Sequence, residues 1–394
     1  MLGPGAIGTH LADLGAEVIK VEPPSGDYIR QMTWPIVDGV SLMHWHISRG
    51  KRSITLDLRT PEGAEVFRDL VRGADAVIEA MRPGGLARRG LGYEDLLAIK
   101  PDLVWCTISG YGMTGPYQNM PSHGIAYDTW AGLVGPEVDD DGFCYIPEHP
   151  SVGIHAGPVF GALAVLAGIT RARATGIGGQ FEVAQSDAAA AMDWLRSETW
   201  KAYERPEDVV TGNRSDNYER RAPGTAGMRD GVRYQFYATS DDRHVLFMAS
   251  EQEFWKNFCT GVGRLDLFEK YPGNQYGDHA RGNTELRAEL RTIFASRTAA
   301  EWIAFGDEHN TTIGPVNTPQ TIADDPQFAD RFGWLPHEEH GIDMIPSAIK
   351  MVGEELPVPS KAPSAGEQTD EILAEVLGYD ADRIAALHAA GGLG

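Results

Sequence analysis

The chain has 394 residues, 42% of them hydrophobic, and a formal net charge of −22, which allows a sizeable core and two or three domains. A balance this negative opposes a general nucleic-acid or anionic-membrane surface, so an anionic ligand has to be held by a local cluster of cations. Three dispersed cysteines, Cys106, Cys144 and Cys259, lack disulfide-framework or metal-ligand spacing and fit a reducing, cytoplasmic compartment.

The first third alternates helical and strand-like stretches at the rhythm of βαβ units. IGTHLADLGA has helical spacing and is followed by the β-branched EVIKVE. That helix begins within ten residues of Met1, leaving no room for the strand that would normally feed it. Either the sheet lacks its first strand or the recorded start lies inside the natural chain. TPEGAEVFRDLVRGA opens with Thr60 as N-cap and Pro61 at the first helical position, then runs into the strand DAVIEAM. YEDLLAIKP and LVWCTISGYG repeat the theme. The pattern predicts an α/β fold, a mostly parallel sheet covered by helices, with ligands at the carboxyl ends of its strands.

PSVGIHAGPVFGALAVLAGI, residues 150–169, reads as a buried helix with Pro158 in its first turn and Ile154 and His155 at its mouth. Helix N-termini favour anions and suit a reacting group. No apolar run approaches about 18 residues without small or polar interruption, and no basic-then-apolar leader stands at the start, so no membrane partner is expected. Residues 201–225 are rich in charge, Gly and Pro and read as a linker. VRYQFYATSDDRHVLFMAS predicts a β-hairpin turning at SDD, EQEFWKNFCTGV and NTELRAELRTIFASRTAAEWIAFGDEH predict helical segments, and IGPVNTPQTIADDPQF is expected to return the chain to the first domain.

LADLGAEVIKVEPPSGDYIR, SRGKRSITLDLRTPEG, ADAVIEAMRPGGLARRGLGYEDL, ISGYGMTGPY and IGPVNTPQTIADDPQF, in this order, resemble the class III coenzyme A transferase family. That family, of CaiB/BaiF type, includes formyl-CoA transferase-like proteins and α-methylacyl-CoA racemases. The resemblance covers nearly the whole chain. It implies a large Rossmann-like CoA-binding domain built from residues 1–200 and 313–394, a linker at 201–225, and a smaller α+β domain at 226–312. It further implies an interlocked dimer, either a homodimer or a heterodimer with a family paralogue. The implied activity transfers CoA between an acyl-CoA and a carboxylic acid, with coenzyme A as substrate, no permanently bound cofactor and no metal.

A long polyanion such as CoA needs fixed cations near turns. SRGKRS supplies Arg49, Lys51 and Arg52, and MRPGGLARR supplies Arg82, Arg88 and Arg89 at the carboxyl end of a predicted strand. On the resemblance, Leu56, Arg59, Ala80, Met81, Arg82 and Arg88 occupy places that line the CoA site. At the helix mouth the family resemblance places a nucleophilic aspartate, and Ile154 stands there instead. Isoleucine is neither nucleophile nor base. A slip of one residue brings His155 to that place, where an imidazole transfers protons near neutral pH.

PSHGIAYDTWAGL resembles the racemase segment, with His123 on its histidine, and Glu251 in ASEQEFW matches the glutamate paired with it. Asp128 reads as a helix-start or surface residue. Three functions follow from these residues. One is a CoA-transferase. A second is an α-methylacyl-CoA racemase-like enzyme using His123, His155 and Glu251. The third is a non-catalytic subunit whose paralogue carries the aspartate.

Overall fold

The computed structural model describes residues 2–33, 35–212, 220 and 228–393, so most of the 201–225 linker lies outside the described residues. The chain forms two compact units, residues 1–194 with 331–394, and residues 195–330.

The first unit is built from parallel strands and covering helices. In chain order these are α1 Leu2–Ala12, β1 Ile19–Glu22, α2 Leu42–Ser48, β2 Arg52–Thr55, α3 Pro61–Gly73, β3 Ala76–Glu79, α4 Tyr93–Leu97, β4 Val104–Ser109, α5 Ile125–Trp130, α6 Gly153–Thr175, β5 Gly179–Ala184 and α7 Gln185–Met192. The expected parallel pairing is present, but divided. β1 pairs with β2 (Ile19 opposite Arg52), and β4 lies between β3 and β5 in a separate three-stranded sheet (Ala76 opposite Val104, Val104 opposite Gly179). Thr60 caps α3 as its sequence predicts, its hydroxyl accepting from the Gly63 N–H at 3.1 Å.

α6 starts earlier than its proline suggests. It begins at Gly153, so Pro158 is interior and withholds the N–H that the Ile154 carbonyl would otherwise receive. Ile154 and His155 therefore belong to the helix itself. One face of α6 is made of small residues, including Gly157, Gly161, Ala162 and Gly168, and it packs onto α1 and β4. A Cβ on Gly161 would stand 2.4 Å from Ile7 Cδ1, and one on Gly168 would stand 2.6 Å from Val104 Cγ1. The opposite face leaves Val159, Leu163 and Leu166 exposed. With 23 residues and a mean hydropathy of 1.5 over its most apolar window, α6 is long and apolar enough to cross a bilayer. Of that window 44% is buried inside the structure, as in the core helix of a folded domain.

The second unit opens with the expected hairpin, β6 Gln235–Ala238 antiparallel to β7 His244–Phe247. α8 Gln252–Gly261, α9 Thr284–Phe294 and α10 Ala299–Glu308 follow. The long segment NTELRAELRTIFASRTAAEWIAFGDEH breaks in two because Thr298 and Glu301 form a reciprocal capping box that starts a new helix. Phe247, Trp255, Phe258, Phe294, Trp302 and Phe305 fill the core between these elements. β8 Ile313–Pro315 pairs with β7, so the chain leaves this unit after Asp330 and not at residue 313.

On its return the chain adds α11 Thr369–Glu375 and α12 Ala381–Ala389 to the first unit. Ile372, Leu373, Tyr379 and Leu393 join Ile54, Leu56, Phe67, Leu70 and Trp105 in one core. The tail is pinned beside β2: Leu56 bridges Leu393, and the Asp57 N–H donates to the Gly392 carbonyl at 3.1 Å. Gly63 makes the approach feasible, since a Cβ there would stand 2.3 Å from the Asp57 carbonyl and 3.1 Å from that of Gly392.

Candidate functional site

The loops that leave β2 and β3 open onto a cavity of about 700 Å³. Arg59 and Arg88, two of the arginines expected to hold CoA, line it together with Arg68, Arg89 and Arg383. Two glutamates, Glu62 and Glu65, are the acids among its lining residues. Arg59 is held in a fork by Asp57, with Nε to Oδ1 and Nη2 to Oδ2 both at 2.8 Å. That guanidinium holds the Asp57 carboxyl down at about 2. Arg89 Nη1 donates to the Gly85 carbonyl at 2.6 Å, which ties its side chain to the turn that precedes it.

The remaining expected CoA residues are placed differently. Leu56 is buried at 1% exposure and its side chain packs in the core. Met81 packs against the same core, and neither it nor Arg82 lines the cavity. The turn carrying them is fixed by Glu79: its Oε2 accepts from the Met81 N–H at 2.6 Å, and its Oε1 accepts from the Thr107 hydroxyl. Lys51 is not on offer to a ligand either. It is buried, donates to the Gly5 and Ile47 carbonyls and to Thr9 Oγ1, and burial drives its pKa well down. Arg49 is likewise buried in a two-bond pair with Asp13, at 3.0 and 2.7 Å. Arg68 and Arg383 were missed at the sequence level. Arg68 reads as an ordinary exposed helix charge, and Arg383 is more than 300 residues from Arg59 in the chain.

The mouth of α6 is the second place of interest. Ile154 faces α5: its Cγ2 lies 3.3 Å from where a Cβ on Gly124 would stand, beside the exposed His123. His155, next on the helix, is exposed. Burial, then Arg49, pushes His46 down to about 4, and His10 and His155 add to the effect. His10 is depressed as well, by burial first, with His155 among the further causes.

Asp128 lies in the first turn of α5, a helix-start residue as its sequence suggests, but it is not on the surface. It is fully buried, and its Oδ1 accepts from the Gly153 N–H at 2.8 Å, capping α6 from α5. Its Oδ2 lies 3.8 Å from His149 Nε2, while His149 Nδ1 donates to the Pro147 carbonyl at 3.0 Å. The carboxylate that supports the α6 mouth thus comes from α5, and residue 154 offers only hydrocarbon.

In the second unit, Glu251 is exposed at the start of α8 and caps nothing with its side chain. The turn behind it is strapped down. Ser250 Oγ bonds His279 Nδ1 at 2.9 Å, the Ser250 carbonyl accepts from the Asp278 N–H at 3.0 Å, and Asp278 pairs with buried Arg233 at 3.0 Å. Among the described residues no group of three or more His, Cys, Asp or Glu is placed to hold a metal ion.

The model of CoA-transferase family III matches residues 1–369. The chain belongs to this family. Relatives of the family member include the succinate–glutarate CoA-transferase of Agrobacterium fabrum, 29% identical over 95% of this chain and 92% of that one. The human alpha-methylacyl-CoA racemase is 26% identical over 96% and 90%. The beta subunit of the succinyl-CoA–L-malate CoA-transferase of Chloroflexus aurantiacus is 28% identical over 95% and 91%. Among solved structures, a CaiB/BaiF family protein from Brucella suis superposes with a TM-score of 0.71 at 26% identity, covering 94% of this chain and 95% of that one. The mixed α/β architecture with parallel sheets is thus the architecture of the family.

Proposed function

We propose that this family III protein transfers CoA between an acyl-CoA and a carboxylic acid, and that the arginine-lined cavity holds the nucleotide end of CoA. The observation that carries the reading is the convergence of Arg59, Arg88 and Arg89 from the loops at the strand ends on one cavity, in a chain whose net charge of −22 would otherwise repel such a ligand. Guanidinium forks match phosphate oxygens in geometry as well as charge.

With isoleucine at 154, the transfer needs no carboxylate at that position if both substrates are held together. The acceptor carboxylate attacks the thioester carbonyl, the C–S bond breaks, and CoA thiolate leaves a mixed anhydride of the two acids. The thiolate then attacks the acceptor's carbonyl carbon, the anhydride C–O bond breaks, and the donor acid is released. Atoms and charge balance without a protein nucleophile. The protein's part is to hold the two reactants in attack geometry and to keep water from the anhydride, which is a large contribution on its own. The apolar Ile154 beside Gly124 suits the second task.

Ile154 also favours a second reading. A relative of this chain is named as the beta subunit of a CoA-transferase, and a paralogue with the aspartate would supply the nucleophile in a heterodimer. The exposed stripe of Val159, Leu163 and Leu166 on α6 supports a dimer of either kind.

The test is transfer by the purified chain. A thermal-shift panel of CoA and acyl-CoAs identifies the ligands that stabilise it, and the stabilising acyl-CoAs are then assayed with carboxylic acids. Transfer by the lone chain supports the first reading. Activity that appears only with a second family chain supports the second. Loss of deuterium from the acyl α-carbon without transfer, abolished by His123→Ala, contradicts both and favours racemase-type chemistry.

A further inference from the structure

The family match ends at residue 369, yet α12 lies beyond it and lines the cavity through Arg383 and Leu387. Its placement is fixed from both sides. The tail after it bonds the β2–α3 turn through Gly392 and Leu393, and Asp380 caps its start by accepting from the Arg383 N–H at 2.8 Å. Arg383 is itself oriented: its guanidinium carbon lies 3.5 Å from the centroid of the Tyr379 ring, and its Nη2 is 3.3 Å from Asp69 Oδ2. A guanidinium has five N–H donors, so this contact leaves most of the fork for a ligand.

Five arginines line the cavity, and three of them also face a carboxylate, Arg59 with Asp57, Arg68 with Glu65 and Arg383 with Asp69. Arg59, Arg88 and Arg89 come from the loops at the strand ends, whereas Arg68 and Arg383 come from the helices α3 and α12. CoA carries a second phosphate group, the monoester on its ribose, which has the highest charge density of the molecule and lies at the end remote from the sulfur. We infer that Arg383, assisted by Arg68, is the specificity determinant for this ribose 3′-phosphate, so that the segment beyond the family match distinguishes CoA from dephospho-CoA. The inference rests on the CoA reading given above.

Calorimetric titration of the full chain with CoA and with dephospho-CoA tests it. The wild type is expected to bind CoA more tightly, and Arg383→Ala to weaken CoA by roughly tenfold or more while moving dephospho-CoA less than about twofold, with Arg383→Lys in between. Arg68→Ala, whose partner is Glu65 at 3.2 Å, gives the same selective loss and serves if the first variant does not fold. Equal losses for both ligands, no loss, or equal wild-type affinity for the two ligands overturns the role of Arg383 and leaves the CoA site intact. A wild type that binds neither ligand overturns the CoA reading itself.

Discussion

The cavity beside β2 and the mouth of α6 belong to the same compact unit and are equipped in opposite ways. The cavity gathers five arginines from three distant parts of the chain. The mouth of α6 presents isoleucine at 154, and the carboxylate nearest in role, Asp128, is fully buried under the Gly153 N–H. The cavity gathers cations, whereas residue 154 at the helix mouth offers no nucleophile. On the proposed reading, such a chain would lower the barrier chiefly by holding substrates, and would depend on the cavity more than on any single group at the helix mouth.

The sharpest way to break this contrast is to strip the cavity. Arg59→Ala with Arg88→Ala is expected to weaken CoA binding by roughly a hundredfold or more, since each charge-assisted phosphate bond contributes about 1.5–3 kcal/mol. Titration of the double variant measures it. Arg82→Ala, outside the cavity lining, is expected to have a smaller effect, and an equal loss from that single change would erase the distinction between the two turns.

The next effect is on stability and comes with acid. His44 is buried on α2, and burial, aided by the Lys20 and Arg30 charges, lowers its pKa to about 4 from an ordinary 6.5. The unfolded chain therefore takes up this proton first. This contribution is fully present above pH 6.5 and is lost as the pH drops toward 4, at about 1.4 kcal/mol per pKa unit, or about 3 kcal/mol in all. Urea unfolding across that range, compared with His44→Gln, isolates the contribution.

A smaller loss is expected where α6 meets α1. Gly161→Ala places a Cβ 2.4 Å from Ile7 Cδ1, and overpacking of this kind costs about 1–3 kcal/mol, seen as a lower melting temperature. Ile154→Asp should change least in folding. Its informative readout is intact mass after mixing with acyl-CoA: a new covalent species on the variant sharpens the contrast, because it shows that the mouth is built for a carboxylate it lacks.

Much of the first unit was legible in the sequence because its signals are local. Thr60 and Pro61 mark the start of α3, the β-branched IKVE marks β1, and the turns of Gly and Arg mark the ligand side of the strands. Two features were not legible. The start of α6 was misplaced because Pro158 looks like a first-turn residue, and only the Asp128 cap from another helix shows that the turn before it is helical. The part of Arg383 in the cavity was hidden because it depends on the packing of Leu393 and Gly392 against β2, across more than 300 residues. Successive residues on a helix point about 100° apart, so Ile154 and His155 cannot share a direction once the helix includes both.

The initial-velocity pattern of CoA transfer by the lone chain tests the central claim most directly, with acyl-CoA and acceptor carboxylate varied together. Direct attack with both substrates bound predicts intersecting lines in double-reciprocal plots, and no covalent species on the protein when acyl-CoA is supplied alone. Parallel lines, together with an acyl or CoA adduct mapped to a side chain at the mouth of α6, would contradict the account and return the chemistry to a nucleophile within this chain.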